Sequence, residues 1–214
     1  RDIPGSASYQ AVELEELLAS ASAGDLAGYR PSAEDPGEPV LVISTSGSSG
    51  NAKGVLLTPT NLLTNACHLS AALELRSSDR MLSVLPLYNM NAVMITGWMA
   101  CVAGAHVVAA GLFGHRIAKF YWDLVQAHQV TVASVVPSIL AQLLQLFPDG
   151  AGDQVDSVRF FLSGAAPLQS DLWRRFERTF GRPVYQGYGL TETTCWATVT
   201  LPRARRSRLS VGVA

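Results

Sequence analysis

Paired cysteines are missing from this 214-residue chain: Cys67, Cys101 and Cys195 are far apart, form no C-x-x-C spacing and are odd in number. That excludes a disulfide framework and a zinc site built on paired thiols, and reduced thiols in a reducing cytoplasm are expected. An excess of charge is missing too. Sixteen Lys and Arg stand against 17 Asp and Glu, a formal net charge of -1. No global attraction to nucleic acid or to an acidic membrane follows, so a partner must be recognised by a local site. The basic run RARRSR, Arg203 to Arg208, is read as a solvated loop and no nucleic-acid partner is expected. His68, His106, His115 and His128 share no metal-ligand spacing and are read as structural or surface residues. No Ser/His/Asp or Cys/His arrangement for a protein nucleophile stands out. The start, RDIPGSASYQ, has no apolar run behind its charge, which argues against a signal peptide.

Apolar residues are plentiful: 48% are hydrophobic and 15% charged, enough for one or two globular units with a sizeable core. The run Met90 to Gly114 is almost uncharged, but Gly97, Gly104, Gly111 and His106 interrupt it. It reads as a helix ending near Gly104 and then a short buried strand, not as a membrane span. Trp98, Trp122, Trp173 and Trp196 are assigned to core or interface.

Residues 1–38 read as a short amphipathic helix, Val12 to Ala19, and a linker from Ser20 to Glu38; the ordered core spans 39–214. There, apolar β-branched runs alternate with helical patterns. Strands are expected at Val40 to Thr45, Met81 to Pro86, His106 to Ala109, Val130 to Val136, Val158 to Ser163 and from Val184. Helices are expected near Thr60 to Leu73, Ala92 to Ala103 and His115 to His128, from Pro137, and around Leu168, Leu172 and Phe176. In the fourth of these strands and its neighbours the apolar runs are continuous, as in a sheet covered on both faces. The fold class is therefore α/β, a mixed, largely parallel sheet flanked by helices. Ligands of such sheets gather at the carboxyl ends of the strands.

Directly after the first strand comes STSGSSGNAKGV, Ser44 to Val55. Glycines let the backbone approach oxygen atoms closely, hydroxyls add donors and Lys53 adds charge, the makings of a phosphate cradle. It is not a Walker A loop: Gly47 and Gly50 are three apart, and Lys53 precedes Gly54 rather than Ser or Thr. A flexible linker of this composition would not sit flush against a buried strand.

The segment TSGSSGNAKGV resembles the phosphate loop of the adenylate-forming superfamily, which includes acyl-CoA synthetases, adenylation domains and luciferases. LPLYNMNAVM (Leu85 to Met94), SGAAPL (Ser163 to Leu168) and QGYGLTET (Gln186 to Thr193) resemble further motifs of that superfamily in the same order. The resemblance implies part of its large amino-terminal domain. It also implies ATP-dependent activation of a small carboxylic acid as an acyl-adenylate, bound with Mg²⁺, and transfer to CoA, a carrier-protein pantetheine arm or another nucleophile. By resemblance, Thr45, Ser46, Gly47, Ser48, Ser49, Gly50 and Lys53 hold the β- and γ-phosphates. Ala165, Gln186, Gly187, Tyr188, Gly189 and Thr191 hold the rest of the nucleotide, Tyr188 lying against adenine. Glu192 binds the metal, and Thr191, Glu192 and Lys53 serve the reaction. Asn89, Asn91, Ile95, Gly164 and Ala166 are implied to line the acid pocket.

Two departures bear on the chemistry. Acyl-CoA-forming relatives often carry histidine where Asn89 stands, and Asn cannot become a cation or shuttle a proton. Gly111-Leu112-Phe113 lacks the basic residue that CoA ligases commonly place there, which gives weight to a carrier-protein arm or an amine as acceptor. The superfamily's ribose-binding aspartate, hinge and small carboxy-terminal domain would follow Ala214, so a fragment with impaired turnover is expected. The alternative is a non-catalytic nucleotide- or acyl-binding module of the same fold.

Overall fold

A computed structural model describes residues 37–46, 52–202 and 210–213; all of them belong to the unit Pro36–Ala214. The expected helix Val12 to Ala19, and nearly all of the linker after it, lie outside the described residues.

The fold is α/β, as expected. Strands β1 (Leu41–Ser46) and β2 (Ala52–Leu57) form a two-stranded antiparallel hairpin. Helix α1 (Pro59–Ala72) follows. Its start is written in the sequence: Thr58 accepts from the Asn61 N–H at 3.2 Å, its own N–H donates to Asn61 Oδ1 at 3.0 Å, and Pro59 occupies the first turn. Then come β3 (Arg80–Ser83), α2 (Met90–Ala92), a π-helical stretch Val93–Trp98 and α3 (Met99–Ala103). Gly104 ends this composite helix in the left-handed conformation, φ 65°. Strand β4 (His106–Ala109), helices α4 (His115–Lys119) and α5 (Tyr121–Ala127), β5 (Val132–Val135) and α6 (Pro137–Leu146) come next. The last elements are β6 (Phe160–Ser163), α7 (Ser170–Phe180), β7 (Val184–Gly189), a 3₁₀ turn Thr191–Thr193 and β8 (Trp196–Val199).

The main sheet has the order β4-β3-β5-β6-β7-β8, parallel throughout except for β8, which returns antiparallel to β7. Successive residues of its central strands face opposite cores. Met81, Val132, Phe160, Leu162 and Tyr185 pack toward α1 and the π-helical stretch; Leu82, Ala133, Phe161 and Val184 pack toward α5, α6 and α7. On the second side, Trp122, Phe161, Phe176 and Phe180 form edge and tilted ring contacts, with centroids 4.6 to 6.2 Å apart.

Four expectations are corrected. Strand β1 is not buried within the main sheet: it pairs with β2, which the sequence reading missed, and Val42 and Leu56 point outward. Strand β4 is an edge strand with Val108 alone buried, because no strand among the described residues pairs beyond it. The helix His115 to His128 is two helices meeting at Phe120, whose ring lies outside under Lys119 Nζ at 5.4 Å rather than on the shared apolar face. Leu168 is buried but precedes α7 instead of opening it. No helix among the described residues is long and apolar enough to cross a membrane, and the run from Met90 breaks at Gly104 as expected.

Candidate active site

The carboxyl ends of β3, β6 and β7 and the hairpin surround a cavity of about 740 Å³. The hairpin contributes Ile43, Ser44, Thr45 and Lys53. Thr45 and Lys53 stand opposite each other in the register, and Thr45 Oγ1 donates to the Lys53 carbonyl at 3.4 Å. Directly opposed residues share a face, so hydroxyl and ammonium are presented together.

The connection after β3 contributes Tyr88, Asn89, Met90 and Asn91. Asn89 is the N-cap of α2, its Oδ1 accepting from the Asn91 N–H at 2.9 Å. That commits the Asn89 carbonyl to the helix start. The helix runs on through the π-helical stretch, where Thr96 Oγ1 lies 2.9 Å from the Ala92 carbonyl and 3.1 Å from Ser83 Oγ. Such a π insertion re-aims the preceding turn.

Beyond β6 and β7 the backbone is strained. Ala165, on the cavity wall, has φ 66°, and Thr194 has φ 69°. Left-handed backbone costs a non-glycine residue roughly 1–3 kcal/mol and is concentrated at functional sites. The turn between β7 and β8 is held by Thr193, whose Oγ1 accepts from the Leu190 N–H at 2.9 Å and lies 3.0 Å from the Cys195 carbonyl. With Thr193 holding the turn, Thr191 and the exposed Glu192 carboxylate face the cavity. Cys195 is buried beside them. Burial pushes its thiol up to about 12, and a main-chain hydrogen bond at Trp196 pulls weakly the other way. It is a neutral wall at ordinary pH. Among the described residues no three His, Cys, Asp or Glu cluster as metal ligands. A hard divalent ion at this cavity would draw on Glu192 and on oxygens of a bound ligand, a donor set that suits magnesium.

The structure thus gathers Thr45, Lys53, Asn89, Asn91, Ala165, Gly189, Thr191 and Glu192 around one cavity. Gly47, Ser48, Ser49 and Gly50 lie outside the described residues, and of Ser46 only the backbone, as the end of β1, is described. Six other expected site residues do not line the cavity. Ile95 is fully buried in the core behind it. Gln186 is buried in β7, with its N–H donating to Thr200 Oγ1 at 2.8 Å. Tyr188 and Ala166 are exposed. Gly164 and Gly187 lie under the indole of Trp196, where a Cβ would come within 2.6 Å and 1.9 Å of its atoms. Sequence reasoning missed Ile43, Ser44, Tyr88, Met90, Leu190, Cys195 and Trp196 as lining residues. Tyr88, Met90 and Leu190 sit inside the recognised segments and could have been found there. Cys195 and Trp196 arrive only because β8 folds back along β7.

An α/β sheet of this order, with a hydroxyl-and-lysine hairpin and an acidic turn around its carboxyl edge, has the architecture of the amino-terminal domain of adenylate-forming enzymes. The chain belongs to the AMP-binding enzyme family, whose model matches residues 4–214. It is 39% identical over 158 residues to a sulfoacetate–CoA ligase of Cupriavidus necator, covering 74% of this chain and 30% of that protein. It is 32% identical over 188 residues to 4-coumarate–CoA ligase 1 of Oryza sativa, covering 83% and 32%. ATP-bound MatB from Rhodopseudomonas palustris superimposes with a TM-score of 0.76 at 26% identity, over 84% of this chain and 34% of that one. The chain therefore spans about a third of the length of the curated relatives it matches.

Proposed function

We propose that this chain carries the ATP- and acid-binding face of a ligase that activates a carboxylic acid as its acyl-adenylate. The observation that carries the reading is the single cavity that joins Thr45 and Lys53 from the hairpin to Thr191 and Glu192 from the β7–β8 turn. In the first step a carboxylate oxygen bonds to the α-phosphorus of ATP and the bond to the bridging oxygen breaks, releasing pyrophosphate. The protein's contribution is to hold both reactants in line and to offset the charge building on the phosphates. Lys53 and the hairpin hydroxyls bind the β- and γ-phosphates, Thr191 reaches the α-phosphate and Glu192 holds Mg²⁺. In the second step a thiol attacks the acyl carbon and AMP leaves. The names of the relatives support CoA as that thiol, and a carrier-protein arm would present the same group.

The test is Mg²⁺-dependent ATP–pyrophosphate exchange with a panel of carboxylic acids, on this chain and on any longer polypeptide that contains it. Exchange that disappears in Glu192→Gln is the expected result. ATP binding without exchange for any acid, in every form tested, would instead favour a non-catalytic nucleotide-binding module.

A further inference from the structure

Trp196 stands between two cavities. On one side it lines the site; on the other it lines a second cavity of about 430 Å³ between α1 and β8, walled mainly by Leu69, Ala72, Val199 and Leu201. Its position is over-determined. The indole lies on the bare backbone of Gly187 and Gly164, and its carbonyl accepts from Asn65 Nδ2 of α1 at 3.0 Å. The site therefore ends at an aromatic wall, although apolar space continues behind it.

Among the polar residues that line the site cavity, Asn91 alone is buried. Its side chain is 6% exposed, lines the site cavity, and has neither Oδ1 nor Nδ2 hydrogen-bonded among the described residues. A buried amide left without partners is costly, and a ligand that satisfies it recovers that cost. Asn89 differs on both counts: it is exposed, and its side-chain oxygen already accepts from the Asn91 N–H as the cap of α2.

We propose that Trp196 and Asn91 select the acid: Trp196 limits its length by closing the site against the apolar cavity, and Asn91 requires a second hydrogen-bonding group on it. The substrate class is a short carboxylic acid bearing a further polar group. This rests on the reading of the cavity as an acid-activating site and goes beyond it, since relatives of this family carry the names of acids as different as sulfoacetate and coumarate. A site with a buried donor and acceptor rejects an analogue lacking their partner more strongly than an apolar pocket rejects an extra methylene.

The experiment is ligand-observed NMR titration of the chain with 3-hydroxypropionate, its apolar match butyrate, and octanoate, with Mg²⁺-ATP binding followed in the same samples. The wild-type chain should bind 3-hydroxypropionate at least tenfold more tightly than butyrate and should exclude octanoate. Trp196→Ala should gain octanoate at least tenfold, Trp196→Phe should keep the wild-type order, and Asn91→Leu should level or reverse the first pair. Should Trp196→Ala not fold, Trp196→Leu reads the same opening, and the wild-type ratios stand independently of either. Octanoate bound by the wild type as well as the short acids, or no gain in a folded Trp196 variant, overturns the inference. ATP binding with no preference among the acids overturns it alone; loss of both ATP and acid binding overturns the functional reading as well.

Discussion

Asp79 and Arg159 form an ion pair beneath the amino-terminal ends of β3 and β6, at the opposite end of the sheet from the cavity. Asp79 is 1% exposed and fully engaged: Thr131 Oγ1 donates to its Oδ1 at 2.7 Å, the Arg76 N–H donates to its Oδ2 at 2.8 Å, and the guanidinium completes the set. Arg159 also donates to the Glu74 carbonyl at 3.1 Å and lies over the Phe160 ring. Removing one partner of such a pair leaves the other charge and several donors uncompensated. Asp79→Ala should cost about 3–5 kcal/mol in chemical denaturation, with ATP affinity of the folded fraction unchanged. A loss under 1 kcal/mol would show the network to be incidental.

Gly187 is tolerated at its position because it has no side chain. A methyl there would collide with the fused carbons of Trp196, which the opposite core holds in place. Gly187→Ala should therefore lose about 1–3 kcal/mol or more, the cost of overpacking. Gly97 is the internal control. A Cβ there meets nothing within 4 Å, and replacing glycine within a helix gains about 0.5–1 kcal/mol. Thermal melts of the two alanine variants should move in opposite directions.

Lys53 is exposed on β2 and lines the cavity. Lys53→Met should weaken ATP binding by a factor of ten or more, about 1.4 kcal/mol, and flatten the salt dependence of that binding. Binding of a carboxylic acid alone should change little. Titration calorimetry at two ionic strengths separates the outcomes, and unchanged ATP affinity would remove Lys53 from the phosphate site.

Cys195 gives a pH signature. Its thiol is pushed up to about 12 by burial, against an ordinary value of 9.0. Above pH 9 the unfolded chain releases this proton while the folded chain keeps it. The folded state is thus undisturbed below pH 9 and loses roughly 1 kcal/mol per pH unit as pH rises toward 12. Denaturant midpoints should fall across that window, and Cys195→Ala should lessen the slope. Burial of Tyr121, whose phenol is also raised, adds a similar loss at higher pH. A thiol reagent at pH 8 should label the exposed Cys67 and Cys101 and spare Cys195.

Much of the architecture was legible in the order of residues because its signals are local. Pro59 and the Thr58–Asn61 pair mark a helix start, Gly104 a helix end, and FFLS and VASV the buried strands of a parallel sheet. Elements whose burial comes from distant partners were misread. AKGVLL carries a glycine typical of turns, and becomes β2 only by pairing with β1. HVVA has a core composition, and lies at an edge because the strand order ends there. WATV lacks the continuous apolar run of the buried strands, and becomes β8 by pairing antiparallel with β7.

The same division holds for the site. The sequence by itself determined which chemical groups are present: hydroxyls, glycines and a lysine after the first strand, two asparagines after the third, and a Thr-Glu pair after the seventh. It also placed the asparagines and the Thr-Glu pair beyond the carboxyl ends of sheet strands, since alternating strands and helices in a parallel sheet leave little choice; that Lys53 stands on a separate antiparallel hairpin was not legible. Tertiary structure decided which of them share a cavity, that Asn89 caps a helix while the Asn91 side chain has no partner among the described residues, and that Trp196 fills the space above two glycines. Those outcomes depend on strand order, on the antiparallel return of β8 and on packing between residues far apart in the chain, and none of these is encoded in a local pattern.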